Sequence, residues 1–242
     1  IWALPFLDGA RGQVLALTGN KMSTNCAGAL INTISYGSGD KNNAKTQAMI
    51  EIVPTFYYEY DKKDLRRDIT ILPWTWEYDD GSGTGSSFTA VVFPGVASTD
   101  KKVYQKQSNV SQMYCGKLRV EWMKRKYSSN EDGIDMPVIR YTDVLLMFAE
   151  AAIGSKEGNA PTELYGVDPQ ACCDKVRARA GLSSKGLTFD AIVDERAFEF
   201  CGENIRKYDL MRWGMLKDKL EAAQQAVYAS EFYPSLSSIS SF

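Results

Sequence analysis

Glu195 and Glu199 are the residues of this chain whose type and spacing best suit acid–base chemistry. Four residues apart on a helix, they are separated by a rise of about 6 Å, close to the spacing of paired glycosidase carboxylates. Asp143 and Glu150 also share a helix face, but they stand about 10 Å apart along its axis. Arginines lie within pairing reach of these carboxylates. A neighbouring guanidinium lowers a carboxyl pKa, whereas a general acid needs one raised. The balance favours an ion-paired scaffold, so we assign no catalytic residue and expect no enzyme. A glycoside hydrolase built on Glu195 and Glu199 is the enzymatic alternative.

Other chemistries lack their parts. The 242 residues contain no histidine, which removes Ser-His-Asp and Cys-His triads. The five cysteines, Cys26, Cys115, Cys172, Cys173 and Cys201, form no C-x-x-C pair, so no metal site is expected. Cys172 and Cys173 read as small hydrophobes, and one disulfide stays open. Neither a P-loop nor a G-x-G-x-x-G fingerprint occurs, and we expect no cofactor. A net charge of -2 gives no electrostatic case for nucleic acid. No apolar run is long enough to span a bilayer.

The second feature with chemical potential is aromatic. From Leu72, the residues Leu72, Trp74, Trp76 and Tyr78 alternate with Pro73, Thr75 and Glu77, a period of two that places the aromatics on one face of a strand. Such a face either packs on the core or serves as a platform for sugar rings, whose C–H faces stack on indole and phenol. Tyr57, Tyr58 and Tyr36 are further candidates of the same kind, and Asp40, Asn42 and Asn43 are polar loop residues suited to hydroxyl groups.

Several elements must position these groups. The glycine–serine stretch from Asp79 to Ser87 reads as the tip of a hairpin whose return strand is Phe88–Phe93. Lys117–Trp122 alternates as another strand. From Arg140 the period becomes helical, with Tyr141, Val144, Leu145, Phe148 and Ala152 on one face and Leu146, Met147 and Ile153 widening it. Asp168-Pro169 starts a second helix, and Gly181 is its expected stop. Asp190 is the expected cap of a third helix, which carries Ile192, Val193, Phe198 and Cys201 toward the core and pairs its charges along one surface. Gly202 and Asn204 break it, and a short helix with Arg206, Asp209 and Arg212 follows, ending near Gly214. Two helices joined by a loop are the unit of a tetratricopeptide array, and a single pair leaves its outer faces uncovered. The opening IWALPFLDGA has no basic n-region. The chain therefore reads as part of a longer protein whose N-terminal helices are absent.

The segment ERAFEF with Glu203, followed by Arg206, Asp209, Leu210, Arg212, Trp213 and Gly214, resembles the C-terminal signature of SusD/RagB-type outer-membrane lipoproteins of the Bacteroidetes. Gly202 and Asn204 depart from that pattern, which usually has an aromatic and a glycine there. RYTDVLLMFAEA is similar to a second family motif at Arg140, Asp143, Leu145, Leu146, Ala149, Glu150 and Ala151. DKVRARAG is similar to a third at Val176, Arg177, Arg179, Ala180 and Gly181, with Asp174 where the family has asparagine. PTFYYEYDKKDLRRDITI resembles a stretch in which a short helix precedes a D-x-R-R turn and a strand, with Asp64, Arg66 and Arg67 structural.

The resemblance implies a mainly α fold, in which tetratricopeptide-like helices support an irregular, strand-containing ligand region. Residues 1–139 would hold that region, with its hairpins, and 140–242 the helical part. It also implies a surface-exposed outer-membrane protein, anchored by an N-terminal lipid not present in this chain. Such a protein captures oligosaccharides for a SusC-like TonB-dependent transporter, or peptides in a RagB-like variant.

Overall fold

The computed structural model describes residues 2–4, 51–72, 74–78, 89–90, 103–107, 113–117 and 136–229. The chain forms two compact units. The first comprises Ile1–Leu4, Tyr60–Arg67 and Pro137–Leu216; the second takes in the described residues of Pro5–Glu59, Asp68–Met136 and Lys217–Phe242.

The first unit is helical. Its helices are α3 (Tyr141–Ile153), α4 (Pro169–Arg179), α5 (Phe189–Phe200) and α6 (Arg206–Arg212), beside a two-stranded sheet of β1 (Trp2–Leu4) and β8 (Met136–Ile139). Asp168 caps α4, its side chain accepting from the Gln170 amide, with Pro169 at the first helical position, as the sequence predicts. Past the end of that helix, Gly181 adopts φ +77°. Its N–H donates to Ala178 O at 3.0 Å while Leu182 N donates to Arg177 O at 3.0 Å, a Schellman closure that consumes two orphan carbonyls. The same closure recurs at Gly214, where Gly214 N donates to Met211 O and Met215 N to Leu210 O.

Two local expectations are corrected. Thr188, not Asp190, caps α5: its side chain accepts from Ala191 N at 3.1 Å, and Asp190 lies in the first turn. A hydroxyl one residue before the helix reaches the amide three positions on, which Asp190, already helical, does not. On α3 the buried stripe is Thr142, Asp143, Leu145, Leu146, Ala149 and Ile153, whereas Tyr141, Val144 and Met147 are 61%, 47% and 42% exposed. The apolar band is wider than the face that packs, because α4 and α5 cover only one side.

The core of this unit gathers Leu146, Val176, Ile192, Val193, Phe200 and Trp213. Phe198, expected in the core, is only half-buried and packs on Tyr60 with ring centroids 4.6 Å apart.

The second unit carries the short helices α1 (Pro54–Glu59) and α2 (Arg67–Thr70, which begins at the boundary), the exposed helix α7 (Leu216–Ala229) and two antiparallel sheets. In one sheet β7 (Met113–Cys115) lies between β2 (Glu51–Ile52) and β3 (Ile71–Leu72). In the other, β6 (Val103–Gln107) lies between β4 (Trp74–Tyr78) and β5 (Thr89–Ala90).

The expected hairpin is therefore corrected: the Trp74 strand and the Thr89 strand share a sheet but are separated by β6. Leu72 also leaves the aromatic run, because it pairs with Tyr114 in the first sheet while Trp74 pairs with Gln107 in the second. Pro73, between them, has no N–H to donate to a ladder. The expected strand at Lys117–Trp122 lies outside the described residues apart from Lys117, which is at a bend. Among the described residues the fold is mainly α, and no helix is long and apolar enough to cross a membrane.

Candidate functional site

Helix α5 carries Glu195, Arg196 and Glu199, which are 1%, 4% and 2% exposed. The surface pairing expected within the helix does not occur, because buried ions need charge-matched partners and here find them on other segments. Glu195 Oε1 accepts from Arg66 Nη1 at 2.7 Å and Oε2 from Arg177 Nη1 at 2.9 Å. Glu199 Oε2 accepts from Arg66 Nη1 at 3.0 Å, and its Oε1 accepts from Arg140 Nη1 at 2.8 Å and Arg179 Nη2 at 2.5 Å. Arg140 completes its fork on Glu203, with Nε and Nη2 each donating at 2.8 Å.

Burial pushes the Glu199 carboxyl up, but hydrogen bonds and charge from Arg179 and Arg140 outweigh it and hold its pKa at about 2. Burial likewise opposes the charge of Arg66 and Arg140, and their carboxylate partners more than restore it, raising both pKa values. A carboxyl kept ionised this firmly has no proton to donate at neutral pH, so Glu199 is unsuited to general-acid catalysis.

A second cluster centres on Arg196. Its Nη1 donates to Asp143 Oδ1 at 2.7 Å and its Nε to Asp209 Oδ2 at 2.8 Å. Asp209 also accepts from Arg212, which forks onto Glu150, and Glu150 accepts from Trp213 Nε1 at 2.8 Å. Phe200 underlies both clusters, with the Arg140 and Arg196 guanidinium carbons 5.0 Å and 4.9 Å from its ring centroid. A cleft of about 490 Å³ opens beside Phe189, with Glu150, Arg196 and Arg212 supplying its charge. Those three side chains are already held in the Arg196 cluster, so the charged lining is committed to structure.

The turn between Gly202 and Asn204 makes these contacts possible. Both residues take left-handed backbone, φ +79° and +60°, and swing α6 back so that Arg206 Nη1 reaches Val193 O at 2.8 Å. Asparagine at 204 adopts this backbone because its short polar side chain tolerates that region.

Of the residues expected to bind ligand, Trp74, Trp76 and Tyr78 lie on β4, opposite Gln107, Gln105 and Val103 of β6. Tyr57 and Tyr58 lie on α1. The Tyr57 hydroxyl donates to Asp68 Oδ1 at 2.6 Å, and Tyr58 is exposed, its ring edge-on to Tyr57 at 5.2 Å. Tyr36, Asp40, Asn42 and Asn43 lie outside the described residues. Cys26 does too, and the other four cysteines are buried; burial pushes the Cys173 thiol up to about 11. Among the described residues no group of three or more His, Cys, Asp or Glu side chains is placed to hold a metal.

The reach of Arg66 across 129 residues to Glu195 is not foreseeable from spacing. Its only sequence signal is the D-x-R-R pattern itself.

Comparison with known proteins places this geometry. The family model described as "SusD family" matches residues 10–235. SusD-like protein P25 of Formosa agariphila is 30% identical over 158 residues, 58% of this chain and 28% of that protein. A solved SusD homologue from Bacteroides thetaiotaomicron superposes with a TM-score of 0.65 at 20% identity, covering 92% of this chain and 42% of its own. A structure described as a laminarin-binding SusD-like protein is 26% identical with a TM-score of 0.52, covering 85% of this chain and 38% of its own. The chain thus spans less than half the length of these relatives. Their shared fold is the tetratricopeptide-like helical one.

Proposed function

The chain belongs to the SusD family, and from that membership we propose that it forms part of a cell-surface protein that captures oligosaccharides for a SusC-like TonB-dependent transporter. One observation carries this reading: the family match runs from residue 10 to residue 235 and takes in both the strand-bearing stretch and the charged helical corner. Residues 1–139 are the ligand-binding part in this reading, and 140–242 its support. Binding is non-enzymatic. Trp74, Trp76 and Tyr78 present rings for stacking, Tyr57, Tyr58 and Tyr36 extend the aromatic surface, and Asp40, Asn42 and Asn43 bind hydroxyls. The protein would sit at the outer membrane, held by an N-terminal lipid.

The laminarin-binding relative makes laminarin-derived oligosaccharides the first ligands to test. Calorimetric titration of the full-length protein, run beside a reducing-end assay, decides the reading. Saturable binding without release of reducing ends is the expected result. Hydrolysis would establish the enzymatic alternative, and binding of peptides but no glycan would establish a RagB-like role.

A further inference from the structure

Within the strand-bearing unit, one side-chain bond ties α1 to α2. The Tyr57 hydroxyl donates to Asp68 Oδ1 at 2.6 Å, and both residues belong to that unit. An O–H to carboxylate bond of this length is charge-assisted and about twice as strong as a neutral one. It holds the Asp68 carboxylate in a set orientation although Asp68 is exposed.

Tyr57 also orients a ring. Tyr58 stands edge-on to it, with ring centroids 5.2 Å apart and planes at 86°, the T-shaped geometry that ring quadrupoles favour. Tyr58 nevertheless stays 56% exposed. Single apolar side chains left in water need no explanation. Here, however, one residue fixes both an aromatic ring and a carboxylate at the solvent surface.

A pyranose offers an apolar C–H face and a rim of hydroxyls, so a ring beside an acceptor answers both. A carboxylate has about four acceptor positions, and the Tyr57 bond takes one of them. Uronate and sulfate groups would meet Asp68 as like charges, so the class it favours is neutral sugar. Groups already held in place lose less freedom when ligand binds. Asp68 lies six residues before Trp74 in the same unit, and six residues span at most about 22 Å. One oligosaccharide can therefore reach from α2 to the start of the aromatic strand.

We propose that α1 and α2 form a subsite for neutral oligosaccharides, in which Tyr58 stacks on a sugar ring, Asp68 accepts from its hydroxyls and Tyr57 positions both. This subsite rests on the capture reading and adds Asp68 to its binding residues.

The test titrates the full-length protein with laminarin-derived oligosaccharides and, for contrast, with oligosaccharides of uronic acids. Tyr58→Ala should weaken binding of the neutral ligand about fivefold and Asp68→Ala about tenfold. Tyr57→Phe keeps the ring but releases the carboxylate, for an expected loss of about threefold. Melting temperatures should stay close to wild type, since Tyr58 and Asp68 are exposed. Asp68→Asn removes the charge and keeps the shape. It should narrow the preference for neutral over uronic-acid ligands by about threefold, a ratio that a merely structural residue would not move. Wild-type affinity in either Tyr58→Ala or Asp68→Ala, or an unchanged ratio in Asp68→Asn, would overturn the subsite and leave the capture reading standing. A wild-type protein that binds no glycan would overturn both.

Discussion

Arg196 and Asp209 form a buried two-point fork, Nε to Oδ2 at 2.8 Å and Nη2 to Oδ1 at 3.2 Å, that closes across the break between α5 and α6. Backbone freedom at Gly202 and Asn204 lets the chain turn, and the fork decides where it stops. Asp209→Ala would leave the guanidinium with Asp143 as its remaining carboxylate in a nearly dry site, so we expect a loss of about 3–5 kcal/mol. Lys217→Ala is the contrast: its pair with Glu221 is 3.8 Å long and exposed, and its loss should cost under about 0.5 kcal/mol. Urea unfolding of both variants checks this, and comparable losses would contradict the structural role assigned to the corner.

Acid should act on Glu199 in a defined window. Its folded pKa, about 2, lies below the ordinary 4.5, so its stabilisation is complete above the higher value and disappears as pH falls toward the lower. The shift corresponds to about 3 kcal/mol. Glu199→Gln should be less stable at pH 7 and should show a shallower loss of stability between about pH 5 and 2 than the wild type. Unfolding free energies measured across that range test the claim; parallel acid slopes for the two proteins would refute it.

The helical corner is legible in the sequence to the extent that its rules are local. Pro169, Gly181, Asn204 and Gly214 announce starts, stops and breaks through the backbone conformations they permit, and the structure places each where those rules require. Long-range partnership is a different matter. Glu195 and Glu199 carry spacing that suits both a surface ion-pair ladder and a catalytic pair, and only tertiary packing shows that they are buried against Arg66, Arg140, Arg177 and Arg179. The exposed side of α3 is hidden from pattern reading for the same reason, since Tyr141, Val144 and Met147 are as apolar as the residues that pack. Strand order is less legible still: β6 enters between β4 and β5 from residues that lack a clear alternating pattern.

Glycine substitutions separate backbone strain from steric conflict. Gly181 combines φ +77° with a Cβ position only 3.2 Å from Leu65 Cγ, whereas Gly154 has φ +78° and open space. Gly186 has neither constraint. Gly154→Ala should therefore cost about 1 kcal/mol and Gly181→Ala more, while Gly186→Ala is neutral or slightly stabilising. Thermal melts of the three variants give the order directly. A Gly181→Ala protein as stable as wild type would mean that the Leu65 contact yields freely.

The remaining prediction concerns the aromatic strand. Trp74 and Trp76 occupy alternate positions on β4, paired with Gln107 and Gln105 of β6. A ring that stacks on a sugar excludes water from one face of the ligand and needs no proton donor or metal. Losing one such contact removes about 1 kcal/mol or more of affinity, severalfold in the dissociation constant. We expect Trp74→Ala and Trp76→Ala each to weaken binding of laminarin-derived oligosaccharides by that amount with little change in melting temperature. A ring packed in a core behaves differently, because its removal leaves a cavity and costs about 3–5 kcal/mol of stability. Titration calorimetry beside a melting curve separates the two. If both variants lose stability on that scale while the folded fraction keeps wild-type affinity, the strand is core packing and the sugar site lies elsewhere in the chain.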